Sequence, residues 1–247
     1  MVDVVAEKPV ILFDLVSTIT DAGPRYAAAY LRMAAAYNLP VPTEEDILSE
    51  LGQRNLHEII RIHSPDLPVE KIGDFMNDCN SACDSLLYNV RWIERLFPDV
   101  REALSGLKDR GYTLGLYTGT REDAMMAQLN YHNILSYFDA DLLRGKDNIR
   151  DQARDTQTLK SEQIASLRAA RLGRAVIVVG DTMSDYQAAK ANGANFVGFA
   201  PLAKDAAKFT DHGQVVFNSY KDISSIIATV CVTGVPARRQ SLPGLNT

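Results

Sequence analysis

Three segments of the sequence place polar, reactive side chains directly after an apolar run. Val10-Ile-Leu-Phe13 leads into Asp14, followed by Val16, Ser17, Thr18, Thr20 and Asp21. Thr113-Leu-Gly-Leu-Tyr117 leads into Thr118-Gly119-Thr120, and Ala175-Val-Ile-Val-Val179 leads into Gly180-Asp181-Thr182-Met183-Ser184-Asp185. Lys160, which is expected to open the helix before the last of these runs, adds a cation. Singly, each has an ordinary reading: Asp14 a turn former, Asp181 or Ser184 a helix N-cap, Thr118 a strand end, Lys160 a solvated lysine. Jointly they form a set of carboxylates, an ammonium and a hydroxyl. Such a set can gather charge at one place and compensate it.

These residues share a place only if the apolar runs are parallel strands, because ligands of an open α/β sheet bind beyond the strands' carboxyl ends. The pattern supports that arrangement. Further short runs occur at Ala140–Leu143 (weaker), Asn195–Phe199 and Gln214–Phe217. Between the later runs lie helical stretches: Asp99–Arg110 closed by Gly111, Glu122–Tyr131, Ser161–Ala170, and Asp185–Ala191 closed by Gly193. Alternating strand and helix signals of this kind predict a doubly wound, Rossmann-like α/β core. One interval departs from the rhythm. Residues 20–90 show no strand, only helical segments such as Pro24–Tyr37 and an amphipathic Val69–Val90 with Ile72, Phe75, Met76, Cys79, Cys83, Leu86 and Leu87 on one stripe. The expected organisation is a core of residues 1–20 and 91–232, a small all-helical cap at 21–90, and a C-terminal tail at 233–247. Residues 147–158 read as a polar loop or frayed helix.

The order of these segments resembles the haloacid dehalogenase-like hydrolase superfamily over most of the chain. Phe13-Asp14-x-x-x-Thr18-Ile19-x-Asp21 is similar to its first motif, Thr118 to the second, Lys160 to the third, and Gly180-Asp181-x-x-x-Asp185 to the fourth. The stretch from Phe97 to Tyr112 is similar to the family's return from the cap. The resemblance implies a nucleophilic Asp14 that forms an aspartyl-phosphate, a covalent route that divides one displacement into two. It further implies Mg²⁺ held by Asp14, the carbonyl of Val16, Asp181 and Asp185, with Asp185 either a direct ligand or an orienting group. Three carboxylates this close would repel without a cation, so a metal is the simplest account. Thr118 and the adjoining Gly119 would meet phosphoryl oxygens, and Lys160 would neutralise the nucleophile or phosphate. Lys146 in Arg144-Gly145-Lys146 is a rival for that last role, and Lys160 is preferred. Arg54, in the cap stretch Leu51-Gly52-Gln53-Arg54-Asn55, is a candidate contact to the substrate's non-reacting part. Hinges are expected near residues 20–23 and 89–93.

One position breaks the pattern. Phosphatases of this family usually carry a second Asp two residues after the nucleophile as general acid and base; here it is Val16. General acid–base help is worth ~10²–10⁴ in rate, so turnover is expected to be slow. The first reading is therefore a metal-dependent hydrolase of a small phosphorylated metabolite. The alternative is a catalytically degenerate phosphate-ligand binder or regulatory protein of the same fold. Phosphonate cleavage is a further alternative, although the only cap lysine is Lys71. So is 2-haloacid cleavage, against which Asp181 and Asp185 speak.

The remaining features are bland. Cys79 and Cys83, four apart on the apolar stripe, are expected to pack in the cap core, as are Tyr26, Tyr30, Met33 and Tyr37. His57 and His63 read as surface or packing residues. The 247 residues are 46% hydrophobic and 23% charged, an ordinary globular composition. Lys and Arg number 26 against 31 acids, a net charge of −5, so no basic footprint for nucleic acid exists, and Arg238-Arg239 is too short to make one. No apolar run approaches the ~20 residues of a membrane helix. Residues 1–9 lack a signal pattern and three cysteines make no disulfide framework, so a cytoplasmic protein is expected.

Overall fold

The computed structural model describes residues 7–51, 56–89, 94–147, 155–171 and 173–233. Arg54 with its neighbours, residues 90–93 of the hinge expected near 89–93, most of the 147–158 segment and the tail from 234 lie outside them. The chain divides into two compact units, Met1–Ile19 with Leu96–Thr247, and Thr20–Arg95.

The first unit is built on six parallel strands: β1 (Val10–Asp14), β4 (Thr113–Arg121), β5 (Leu143–Lys146), β6 (Val176–Gly180), β7 (Asn195–Phe199) and β8 (Val215–Phe217). Their order is β5-β4-β1-β6-β7-β8, the doubly wound sheet expected. Every residue of β1 is buried, and its side chains alternate between two cores. Ile11 and Phe13 pack with α5 (Val100–Asp109), α6 (Glu122–Tyr131) and α10 (Ile223–Thr233). Val10 and Leu12 pack with α7 (Thr156–Ala169), α8 (Met183–Ala191) and α9 (Ala203–Thr210). Covering both faces is what makes such strands read as unbroken apolar runs. The winding reverses at β1, so the ligand-binding crevice of this sheet opens at Asp14.

Several boundaries differ from the sequence reading. Ala140–Leu142 is a 3₁₀ turn, and β5 follows it at Leu143–Lys146. Helix α7 begins at Thr156, where the Asp155 side chain accepts from the Thr158 N–H, so Lys160 lies in the second turn and does not open the helix. The N-cap of α8 is Thr182, not Asp181 or Ser184; it forms a capping box with Asp185. Gly111 ends α5 with a positive φ of 79°, the left-handed conformation that glycine adopts at least cost.

The second unit contains α1 (Gly23–Ala36), α2 (Glu44–Leu51), α3 (Leu56–His63) and α4 (Ile72–Asn89), the last preceded by a 3₁₀ turn at Val69–Lys71. Ala27, Tyr30, Ile59, Phe75 and Cys79 share its core, and Cys79 and Cys83 are buried free thiols. Of the histidines, His57 is exposed, and His63 lies edge-on to Tyr30. A short strand, β2 (Thr20–Asp21), pairs with β3 (Arg95–Leu96); two-residue strands leave no periodic signal, and neither was expected. Beside them the buried Arg25 donates to Glu94 at 2.6 Å and Thr20 to the other Glu94 oxygen at 2.7 Å. Among the described residues no helix is long and apolar enough to cross a membrane.

Candidate active site

Asp14 ends β1 and is 3% exposed. Its Oδ2 lies 3.3 Å from Lys160 Nζ, and its Oδ1 is buried with no hydrogen-bond partner among the described residues. Asp181 and Asp185 come from the end of β6 and the first turn of α8. The three carboxylates each offer an oxygen within 4.8 Å of the others. The oxygens of Asp185, which is 0% exposed, are fully engaged. Oδ1 accepts from Lys160 Nζ at 2.7 Å and Tyr117 Oη at 2.8 Å, while Oδ2 accepts from the Thr182 N–H and hydroxyl. Asp181 Oδ1 accepts from Thr18 Oγ1 at 3.0 Å, and Tyr220 Oη donates to the Thr18 carbonyl at 2.7 Å.

Gly180 is a requirement of this packing. A Cβ there would lie 2.5–2.8 Å from the Asp185 side chain, closer than atoms can sit. The local sequence thus does two things: glycine lets α8 start against the strand end, and the capping box turns Asp185 inward.

The electrostatics follow from gathering three carboxylates, Asp14 and Asp185 buried and Asp181 half-buried, around the Lys160 ammonium. Burial pushes the Asp14 carboxyl well above its ordinary range; Lys160 pulls it down, and Asp185 and Asp181 push it further up. Asp181 is raised to about 6, first by burial and then by Asp185, against the opposing pull of Lys160 and Thr18. Burial lowers the Lys160 pKa, but Asp14 and Asp185 outweigh it and hold the ammonium charged. Ionising the whole cluster is therefore costly even with Lys160 beside Asp14 and Asp185, which favours a bound proton or a cation.

Thr118, 1% exposed in β4, accepts at Oγ1 from the Thr120 N–H at 3.1 Å. Gly119 is exposed on the strand end beside Thr156. Val16 is half buried and packs against the core that holds Leu15 and Ile19, so the second position after Asp14 carries an alkyl group and no titrating atom. Lys146 ends β5 opposite Arg121. Of the two lysines, it is Lys160 whose ammonium reaches Asp14.

Sequence reasoning missed Tyr117, Gln163 and Tyr220. Tyr117 directly precedes Thr118, and Gln163 follows Lys160 by three residues on one face of α7, so a search of helix and strand neighbours could have raised both. Nothing local marks Tyr220.

The haloacid dehalogenase-like hydrolase profile matches residues 11–199. Phosphoglycolate phosphatase of Salmonella choleraesuis is 26% identical over 236 residues, covering 86% of this chain and 90% of its own. The Escherichia coli K12 enzyme of the same name is 27% identical over 213 residues, covering 76% and 79%. Among solved structures, a haloacid dehalogenase-like protein from Agrobacterium tumefaciens superposes with a TM-score of 0.65 at 19% identity, over 90% of this chain and 99% of that one. A hydrolase of the same family from Streptococcus pneumoniae gives 0.63 at 16%, over 89% and 98%. With the profile spanning all four motif positions, the chain belongs to the haloacid dehalogenase-like hydrolase family.

Proposed function

We propose that this protein is a metal-dependent phosphohydrolase that acts on a small phosphorylated metabolite through an aspartyl-phosphate on Asp14. The observation that carries this reading is the Asp14 carboxylate, buried at the sheet's reversal point with Oδ2 beside Lys160 and Oδ1 without a partner among the described residues. The relatives named phosphoglycolate phosphatase support the substrate class.

The donor set fits Mg²⁺, which takes oxygen ligands from one or two carboxylates. Asp14 and Asp181 would hold it, with the Val16 carbonyl as a further oxygen. Asp185 already accepts four hydrogen bonds, so its part is to orient Lys160 and the start of α8. Bound there, the cation would offset the approach of a carboxylate to a phosphate dianion.

The residues of the chain then divide the work. An Asp14 oxygen attacks phosphorus and the bond to the leaving oxygen breaks, giving the acyl phosphate. Lys160 keeps its charge beside the attacking carboxylate, and the Thr118 hydroxyl donates to a phosphoryl oxygen. Water then attacks phosphorus, the acyl oxygen departs, and Asp14 is regenerated with release of phosphate. Val16 supplies no proton to the leaving group and takes none from the water.

Val16 favours a second reading, a phosphate-ligand binder that keeps the cluster without turnover. One experiment separates the two. Product release from p-nitrophenyl phosphate with Mg²⁺ is followed for the protein and its Asp14→Asn variant. That leaving group departs without a proton, so a stoichiometric burst and slow turnover, both absent in the variant, are expected. No release above the variant would move the reading to binding, or to phosphonate or haloacid chemistry.

A further inference from the structure

Beside the carboxylate cluster, the ladder between β4 and β5 opens. The strands pair at Leu116↔Leu143 and Tyr117↔Arg144, then again at Arg121↔Lys146. Between those points Thr118, Gly119 and Thr120 face Gly145 alone. An opened ladder leaves backbone carbonyls in need of donors. Gln163 supplies them. It is 6% exposed on α7, and its Nε2 donates to the Thr118 carbonyl at 2.9 Å and the Gly145 carbonyl at 3.0 Å. The amide orientation is forced, because the reverse would set Oε1 against two carbonyl oxygens. The cost is visible: Oε1 is buried without a partner among the described residues. An apolar side chain of similar volume would fill the space without that cost, so packing alone does not explain a glutamine here.

We infer that Gln163 is a positioning residue that fixes the strand end carrying Thr118 by bridging the break between β4 and β5. One face of α7 thereby serves the site twice, with the Lys160 ammonium at Asp14 and, one turn later, the Gln163 amide behind Thr118. The consequence for catalysis rests on the reading of Thr118 as the donor to a phosphoryl oxygen.

The test is a double-mutant cycle of Gln163→Met and Thr118→Ala on p-nitrophenyl phosphate hydrolysis with Mg²⁺, read together with hydrogen exchange at the Thr120 amide. Gln163→Met should lower kcat/KM about tenfold in the parent, and change it less than about twofold when Thr118 is already alanine. Thr120 exchange should speed up about tenfold in Gln163→Met, since its acceptor, the Thr118 hydroxyl, is no longer held. Equal losses in both backgrounds, or unchanged Thr120 exchange, would overturn the inference. A measurement on the unaltered protein covers a variant that does not fold. The two Gln163 side-chain amide protons should exchange far more slowly than free amides, and exchange at the free rate would overturn it as well. If the parent releases no p-nitrophenol, the phosphohydrolase reading fails by itself, and the exchange measurements alone decide whether Gln163 holds Thr118.

Discussion

Replacing Asp181 by Asn is expected to stabilise the metal-free protein at neutral pH, although it removes a functional carboxylate. Asp181 sits with Asp14 and Asp185 in one cluster beside Lys160, and burial and Asp185 raise its pKa to about 6 from 3.8 against the pull of Lys160 and Lys208. The sign follows from that direction. The folded state holds the proton more tightly than the unfolded one, so the stabilisation is full below the unfolded pKa and is lost as pH rises through the folded one. Asparagine keeps an oxygen to accept from Thr18 and carries no charge, so it behaves as permanently protonated Asp. From the two pKa values, its advantage is about 3 kcal/mol at pH 7.5 and about 1 kcal/mol at pH 4.5. Urea unfolding of both proteins in EDTA at the two pH values measures it. Mg²⁺ at a thousand times the dissociation constant should reverse the order, since the parent gains about 4.1 kcal/mol while the variant loses a ligand. An Asp181→Asn protein less stable than the parent in EDTA at pH 7.5 would refute the claim that burial and repulsion together outweigh the pull of Lys160 on this carboxylate. A difference independent of pH would do the same.

Three further expectations test neighbouring contacts. Gly180→Ala forces a methyl into the Asp185 side chain and should cost about 1–3 kcal/mol of stability, with a loss of kcat/KM beyond tenfold, read by unfolding and by the p-nitrophenyl phosphate assay. Tyr117→Phe removes one of two donors to Asp185 Oδ1 while Lys160 remains, so unfolding should show a loss of about 1 kcal/mol and the assay less than a tenfold change. In the helical unit, Arg25→Met leaves Glu94 buried without its cation and should cost about 3–5 kcal/mol in urea unfolding. The double variant Arg25→Met/Glu94→Leu should recover part of that loss, because no charge is then left unpaired.

The sheet was legible because its signals are local. A run such as Val176–Val179 has to be covered on both faces, and an acidic residue at the end of such a run has to sit at the sheet's edge, whatever the rest of the chain does. That logic places Asp14, Thr118, Asp181 and Asp185 before any coordinates exist. It failed where an element is short or its cap lies outside the apolar pattern. β2 and β3 are two residues each, β5 hides behind a 3₁₀ turn, and α7 starts five residues before Ser161 because Asp155 caps it. The motif order also carried the family, since those positions recur at fixed places along the fold.

What the sequence left open is which atoms end up bonded. Asp181 and Asp185 look alike as letters four residues apart. Folded, and among the described residues, Asp185 accepts four hydrogen bonds while Asp181 accepts one from Thr18. The partners responsible come from distant parts of the chain, with Tyr117 68 residues from Asp185 and Tyr220 202 residues from Thr18. Strand and helix periodicity fixes only which face a side chain takes. The choice of partner depends on how α7 and α8 lie against β4 and β6, and that is set by the summed packing of two cores spread over the whole unit. The residue types and their places along the sheet edge are thus determined locally. The division of labour among the carboxylates, and the glutamine behind Thr118, were decided only when burial brought groups together that must satisfy one another away from water.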